Sequence, residues 1–205
     1  MFCEWAHIGS FLYAAGMTFI PLAISGGIHM DGYADTIDAL SSHAAPEKKR
    51  QILKDSHAGA FAIIYTAAYL IVYCAFASEL VVSVSTGIFI LMCHVFARCI
   101  GAFAGTAFPG SGHEGLLASF RDGATRKAVL IISIFCIICC VIMVWLFPQG
   151  GIACIVSAIL LLLYLKKMSI KEFGGMSGDL AGFIITISEL VFTACFAISF
   201  KVVCL

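Results

Sequence analysis

Long apolar runs, broken at a few points by short polar or glycine-rich stretches, set the pattern of this chain. Residues 5–30 contain no Asp, Glu, Lys or Arg, and neither do residues 58–78 or 80–97, the last of which continues past Arg98. Residues 128–147 are almost wholly aliphatic and aromatic, residues 150–165 form a short continuous run, and residues 180–200 are interrupted only by Glu189. A helix needs about 20 apolar residues to cross ~30 Å of hydrocarbon. The pattern therefore predicts about six transmembrane helices in an all-α, polytopic integral membrane bundle. No linker or internal repeat divides the chain, so residues 1–205 are expected to form a single membrane-embedded domain.

Composition supports this class: 61% of residues are hydrophobic and 12% charged, with a mean hydropathy of +1.05. Such values argue against a soluble globular domain. Net charge is zero, but its distribution is uneven. Lys48, Lys49, Arg50, Lys54, Arg121, Arg126, Lys127, Lys166, Lys167 and Lys171 fall in three predicted loops, residues 43–57, 109–127 and 166–178. With six helices these loops share one side, and the positive-inside rule makes that side cytoplasmic. The same count puts the N-terminus outside, although "MFCEWAH" has no Lys or Arg and is not the basic start of a signal peptide. The expectation is a missing upstream segment or an oblique first helix. The ten cysteines lie mostly in apolar runs and read as small buried hydrophobes.

Against this background, "ISGGIHMDGYADTIDAL" (residues 24–40) concentrates Asp31, Asp35 and Asp38 at spacing i, i+4, i+7. On a helix all three share a face, where like charges repel. A cation would relieve them, and Mg²⁺ suits a site of few carboxylates plus substrate phosphates. Asp55 or Asp179 would complete the set from another segment. The alternative is a solvated acidic face at the membrane surface. Gly26, Gly27 and Gly32 either permit close helix packing or let a phosphate-bearing ligand approach the backbone. His29 is either a base or ligand, or a histidine hydrogen-bonded at a helix end.

The segment "KKRQILKDSHAG" supplies positive charge after a short amphipathic helix expected over residues 46–55. Lys48 and Lys49 suit the anionic lipid surface. Lys54, Ser56 and Gly59, at the start of the next helix, suit phosphate binding. In "GGMSGDLAG", Gly174, Gly175 and Gly178 allow a close approach, and Asp179 is either a further carboxylate or an N-cap. Glu189 lies within a span, so it must face protein or water, with Arg98 its natural partner. Acid, glycine and basic residues gathered at span ends on one side suit metal-assisted phosphoryl transfer, which needs positioning and charge neutralisation above all.

These residues also resemble a known family, cobalamin-5′-phosphate synthase, also called adenosylcobinamide-GDP ribazoletransferase. The resemblance runs through four blocks in order: "GGIHMDGYADTIDA", "LKDSHAG", "HEGLLASF" and "GGMSGDLAG". Ala39, Tyr33 and Thr186 stand where the family usually has glycine, leucine and glutamate. Family members also usually begin with an N-terminal helical segment, which is expected to be missing from this sequence.

The resemblance implies transfer of the cobinamide phosphate moiety of adenosylcobinamide-GDP to α-ribazole or its 5′-phosphate, giving adenosylcobalamin or its 5′-phosphate and GMP. It implies Mg²⁺ dependence, a multi-pass location in the cell (inner) membrane and an active site facing the cytoplasm. On this reading Asp31, Asp35, Asp38, Asp55 and Asp179 are candidate metal ligands, and Asp35, Asp38 and His29 candidate catalytic groups. Gly26, Gly27, Lys54, Ser56, Gly59, Arg98, Gly174, Gly175 and Gly178 are candidate substrate contacts. No nucleic-acid partner is expected, and a homo-oligomer is compatible with the sequence. Two rivals stand beside this reading. A CDP-alcohol phosphotransferase acting on lipids has a similar Asp-rich motif, but that motif needs Ala-Arg where this chain has Ala34-Asp35. A cation-coupled transporter would place its carboxylates near the membrane midplane, whereas these lie at span ends.

Overall fold

The apolar runs become helices with little adjustment at their ends. The structure, a computed structural model, describes residues 8–55, 57–111 and 126–203. Eight α-helices lie among them: α1 (Ser10–Ser25), α2 (Ile28–Ser41), α3 (Pro46–Ile52), α4 (Ala60–Ser78), α5 (Val84–Ala107), α6 (Arg126–Leu146), α7 (Pro148–Phe173) and α8 (Gly178–Val203). Local chemistry sets several boundaries. The Ser83 hydroxyl accepts from the Thr86 N–H at 3.2 Å and caps α5. Pro148 opens α7, where its missing N–H costs nothing. Gly174, at φ 73°, closes α7 with its N–H on the Ile170 carbonyl.

Helices α4 to α8 are each long and apolar enough to cross a membrane. The first run behaves differently. Residues 5–30 read as one span, but the chain turns at Gly26 and Gly27, whose φ values of 62° and 78° lie in the left-handed region. Their N–H groups close onto the Ala23 and Leu22 carbonyls, ending α1. Helix α2 then leaves at 94° to α1, and the two pass the spanning test only as a pair. The predicted loop at residues 166–178 also needs correction. Lys166, Lys167 and Lys171 are the last turns of α7, and only residues 174–177 connect it to α8.

Helix α8 is the centre of the bundle. Of its most apolar stretch 61% is buried, against 11% for α6, whose side chains face outward. Within a membrane such packing rests on shape rather than on expulsion of water. Phe196 of α8 stacks on Phe89 of α5 with centroids 3.7 Å apart, and Phe147 meets Phe89 edge-on at 4.9 Å.

The three chain breaks read from the sequence gather at one end of this bundle. Helix α3 docks on the end of α7: Arg50 Nη1 donates to the Phe173 carbonyl at 3.2 Å, and Lys49 pairs with Glu172. Lys49, expected to serve the lipid surface, is therefore buried and committed to Glu172, whereas Lys48 stays exposed. The segment after α5 is stitched to the connection before α8. Met176 N–H donates to the Pro109 carbonyl at 2.7 Å, and Ser111 N–H to the Met176 carbonyl at 3.0 Å. A β-carbon at Gly175 would collide with the Gly110 backbone, so only glycine permits this pairing.

Candidate active site

Helix α2 carries the acid as the spacing predicted, and α8 and α4 receive it. Gly32 sits directly against the start of α8: a β-carbon there would lie 2.7 Å from the Asp179 carbonyl oxygen and 2.9 Å from its Cα. One turn deeper in α8, a β-carbon on Gly182 would lie 3.1 Å from the His29 carbonyl oxygen and 3.3 Å from Gly32 Cα. The bare notches at Gly32 and Gly182 let the two backbones touch. Deeper again, the Thr186 hydroxyl donates to the His29 carbonyl at 3.0 Å. Thus α2 begins beside Thr186 and draws level with the start of α8 at Gly32. Asp35 and Asp38 lie beyond that start.

The structure brings Asp31, Asp35, Asp38 and Asp179 into electrostatic contact. Half-buried Asp35 has its carboxyl pushed up to about 6, first by desolvation and then by the charges of Asp31, Asp179 and Asp38. Asp38 points to the start of α4, where a β-carbon on Gly59 would overlap both of its carboxylate oxygens. The positive end of α4 therefore faces a carboxylate. Asp55 is drawn elsewhere. Its exposed carboxylate lies 2.7 Å from His57 Nδ1 and accepts the His57 N–H at 3.0 Å, which holds it below its ordinary value. Asp179, and not Asp55, is the carboxylate that meets α2.

No three Asp, Glu, His or Cys side chains among the described residues stand close enough to share one ion. The donors still suit Mg²⁺, which takes one or two protein carboxylates and fills its octahedron with water and substrate phosphate.

The remaining predicted residues divide. Gly26 and Gly27 form the α1–α2 bend, and Gly174 and Gly175 the α7 terminus and its pairing with Gly110. Gly178 opens α8 with open space around it, and Lys54 is exposed in the turn after α3. Ser56, Arg121 and the "HEGLLASF" segment lie outside the described residues. His29 and Arg98 belong to a second, deeper group. Arg98 Nη1 donates to Glu189 Oε1 at 2.6 Å, and His94 Nδ1 lies 2.9 Å from the same oxygen. Tyr73 Oη lies 3.2 Å from His94 Nε2. These residues, with His29, Tyr69 and Thr186, line a cavity of about 10 Å³, room for one water molecule. His94 and Tyr73 escaped the sequence reading. His94 and Arg98 at i, i+4 in an otherwise apolar run were the available signal.

The model of one protein family, described as cobalamin-5-phosphate synthase, matches residues 1–197. The chain belongs to this family. Its relatives include proteins named adenosylcobinamide-GDP ribazoletransferase. The one from Lachnoclostridium phytofermentans is 38% identical over 185 residues, 90% of this chain and 70% of the relative. That from Desulfitobacterium hafniense is 30% identical over 189 residues, covering 91% and 74%. No solved structure matches. Within this cobalamin-5-phosphate synthase family member, the first, second and fourth blocks meet physically through Gly32 with Asp179 and Gly59 with Asp38. The segment leading into the third block is bonded to the fourth at Met176.

Proposed function

We propose that the chain transfers the cobinamide phosphate moiety of adenosylcobinamide-GDP to α-ribazole or its 5′-phosphate, releasing GMP, at the acidic end formed by α2, α4 and α8. Family membership supports the reaction. The observation that carries the location is the convergence of separate sequence blocks on one carboxylate group, Asp31, Asp35, Asp38 and Asp179. A lipid CDP-alcohol phosphotransferase and a cation-coupled transporter gain no support from the relatives.

In this reaction a ribose hydroxyl attacks the phosphorus that bears cobinamide. The new P–O bond forms as the bond to GMP breaks, and GMP leaves with the electron pair. Asp35, central in the acid group, takes the hydroxyl proton. Asp31 and Asp179 would hold Mg²⁺ together with substrate phosphate and water, and Asp38 lies at the start of α4. When bound, that ion neutralises charge on the pyrophosphate. Lys54, basic and at the same end, contacts a substrate phosphate. The acidic end faces the cytoplasm of a cell-membrane protein, since nine of the twelve Lys and Arg residues fall in the described parts of the segments at that end.

The test is GMP release by the purified chain from adenosylcobinamide-GDP and α-ribazole, titrated with Mg²⁺, for the wild type and Asp35→Asn. The expected result is Mg²⁺-dependent release that falls by ~10³-fold in Asp35→Asn, within the range for a positioned acid–base group. Normal turnover of Asp35→Asn at low Mg²⁺ would make the aspartates a solvated face.

A further inference from the structure

The contacts between α8 and α2 follow one stripe. Asp179, Gly182, Thr186 and Glu189 are spaced 3, 4 and 3 residues apart, which keeps them on one side of a helix. The first three engage α2: Asp179 at Gly32, Gly182 at His29 and Gly32, and Thr186 at the His29 carbonyl. The fourth engages α5. Glu189, 7% exposed, is tied to α5 through Arg98, with His94 Nδ1 2.9 Å from the same oxygen, and His94 Nε2 lies beside Tyr73 of α4. At 1.5 Å per residue, Glu189 lies about 15 Å from Asp179 along α8, too far to touch the reacting groups.

Neighbouring apolar contacts set the rotation and depth of α8 only loosely, because they tolerate small slides. A short charged contact at 2.6 Å does not. Any rotation of α8 about its axis would move Asp179, the Gly182 notch and the Thr186 latch together.

We propose that Glu189 is a positioning residue for the transfer reaction. Anchored to Arg98, it fixes the register of α8, and so the placement of Asp179 against the carboxylates of α2. This rests on the reaction proposed above for its kinetic readout, but not for its structural one.

The test compares Glu189→Ala, Glu189→Gln and Thr186→Val in the full chain. Glu189→Ala is expected to lower kcat ~10²-fold, the effect of misplacing groups by about 1 Å, with KM for adenosylcobinamide-GDP changed less than ~3-fold. Glu189→Gln keeps an acceptor for Arg98 and is expected to recover most of kcat. Thr186→Val leaves the buried charges intact, and should lower kcat ~10-fold with the same unchanged KM. Amide hydrogen exchange of residues 28–41, read without substrate, should quicken in Glu189→Ala and return to the wild-type rate in Glu189→Gln. Wild-type kcat per folded molecule in Glu189→Ala overturns the proposal. So does a Glu189→Gln as slow as Glu189→Ala, which would give the carboxylate a chemical role, or a loss confined to KM. If Glu189→Ala does not fold, wild-type kcat in Thr186→Val overturns it. A wild-type chain that releases no GMP would sink the proposed reaction alone, with the exchange result still deciding the role of Glu189.

Discussion

Substituting alanine at Gly32 measures how closely α2 must approach α8. The added β-carbon would lie 2.9 Å from Asp179 Cα and 2.7 Å from its carbonyl oxygen. Ordinary carbon–carbon contacts are about 3.5–4.0 Å, so the helices must part by roughly 0.6–1 Å at this point. The obstructing atoms are backbone, so no side-chain rotation relieves the clash. Overpacking of this kind costs about 1–3 kcal/mol, and a separation near 1 Å between Asp179 and α2 costs ~10²-fold in rate if these groups act together. Gly182→Ala meets the His29 carbonyl at 3.1 Å, a milder clash. Gly16→Ala meets only Ile20 Cδ1 at 3.8 Å and gains helix propensity.

GMP release per folded molecule, with thermal midpoints in detergent, should therefore fall in the order Gly16→Ala, Gly182→Ala, Gly32→Ala. Gly16→Ala should match the wild type, and Gly32→Ala should lose ~10–100-fold in kcat. Wild-type kcat in Gly32→Ala, with the protein folded and inserted, would refute the idea that the α2–α8 backbone contact sets the site.

Three further outcomes follow from other contacts. Gly59→Ala should push the Asp38 carboxylate off the start of α4, lowering GMP release ~10-fold or more while the thermal midpoint changes little, because the displaced atoms end a flexible side chain. Unchanged release would separate Asp38 from the site. Lys49→Ala should lower the midpoint by ~3–8 °C through loss of the Glu172 pair, while Lys48→Ala leaves it in place; equal effects would contradict the burial of Lys49. In intact cells, Ser111→Cys and Ser177→Cys should resist labelling by an impermeant thiol reagent from outside, with a background lacking other reactive cysteines. Labelling of either would overturn the cytoplasmic placement.

The carboxylates were legible because their signal is local. Three aspartates at helical spacing in an uncharged surrounding can be read from residues 31–38 alone, and the resemblance named their partners in other blocks. Apolar run lengths gave α4 to α8 for the same reason. The bend at Gly26 and Gly27 was not legible as a bend. Two glycines in an uncharged run read equally well as a packing notch, and only φ values of 62° and 78° decide between the two. Lys49 misled because its neighbours Lys48 and Arg50 form a basic run that suits a lipid surface; which of the three turns inward depends on Glu172, 123 residues away.

The division between Asp179 and Asp55 shows why the rest stayed hidden. Both lie near a helix start beside small polar or glycine residues, Asp55 before Ser56 and Asp179 after Gly178, and both could complete an acidic set. What separates them is the surroundings each meets in three dimensions. Asp55 has His57 two residues on, a partner that costs no tertiary contact, so its charge is settled locally. Asp179 has no such neighbour beyond Ser177, whose hydroxyl donates to it at a long 3.4 Å, and its backbone is pressed against Gly32. A carboxylate already answered by local hydrogen-bond donors has less need of a further partner. One held beside Asp31 and Asp35 is instead placed among like charges, which a bound cation would relieve. Which acid joins the carboxylates of α2 is thus decided by which backbones touch, and that is not written in either local sequence.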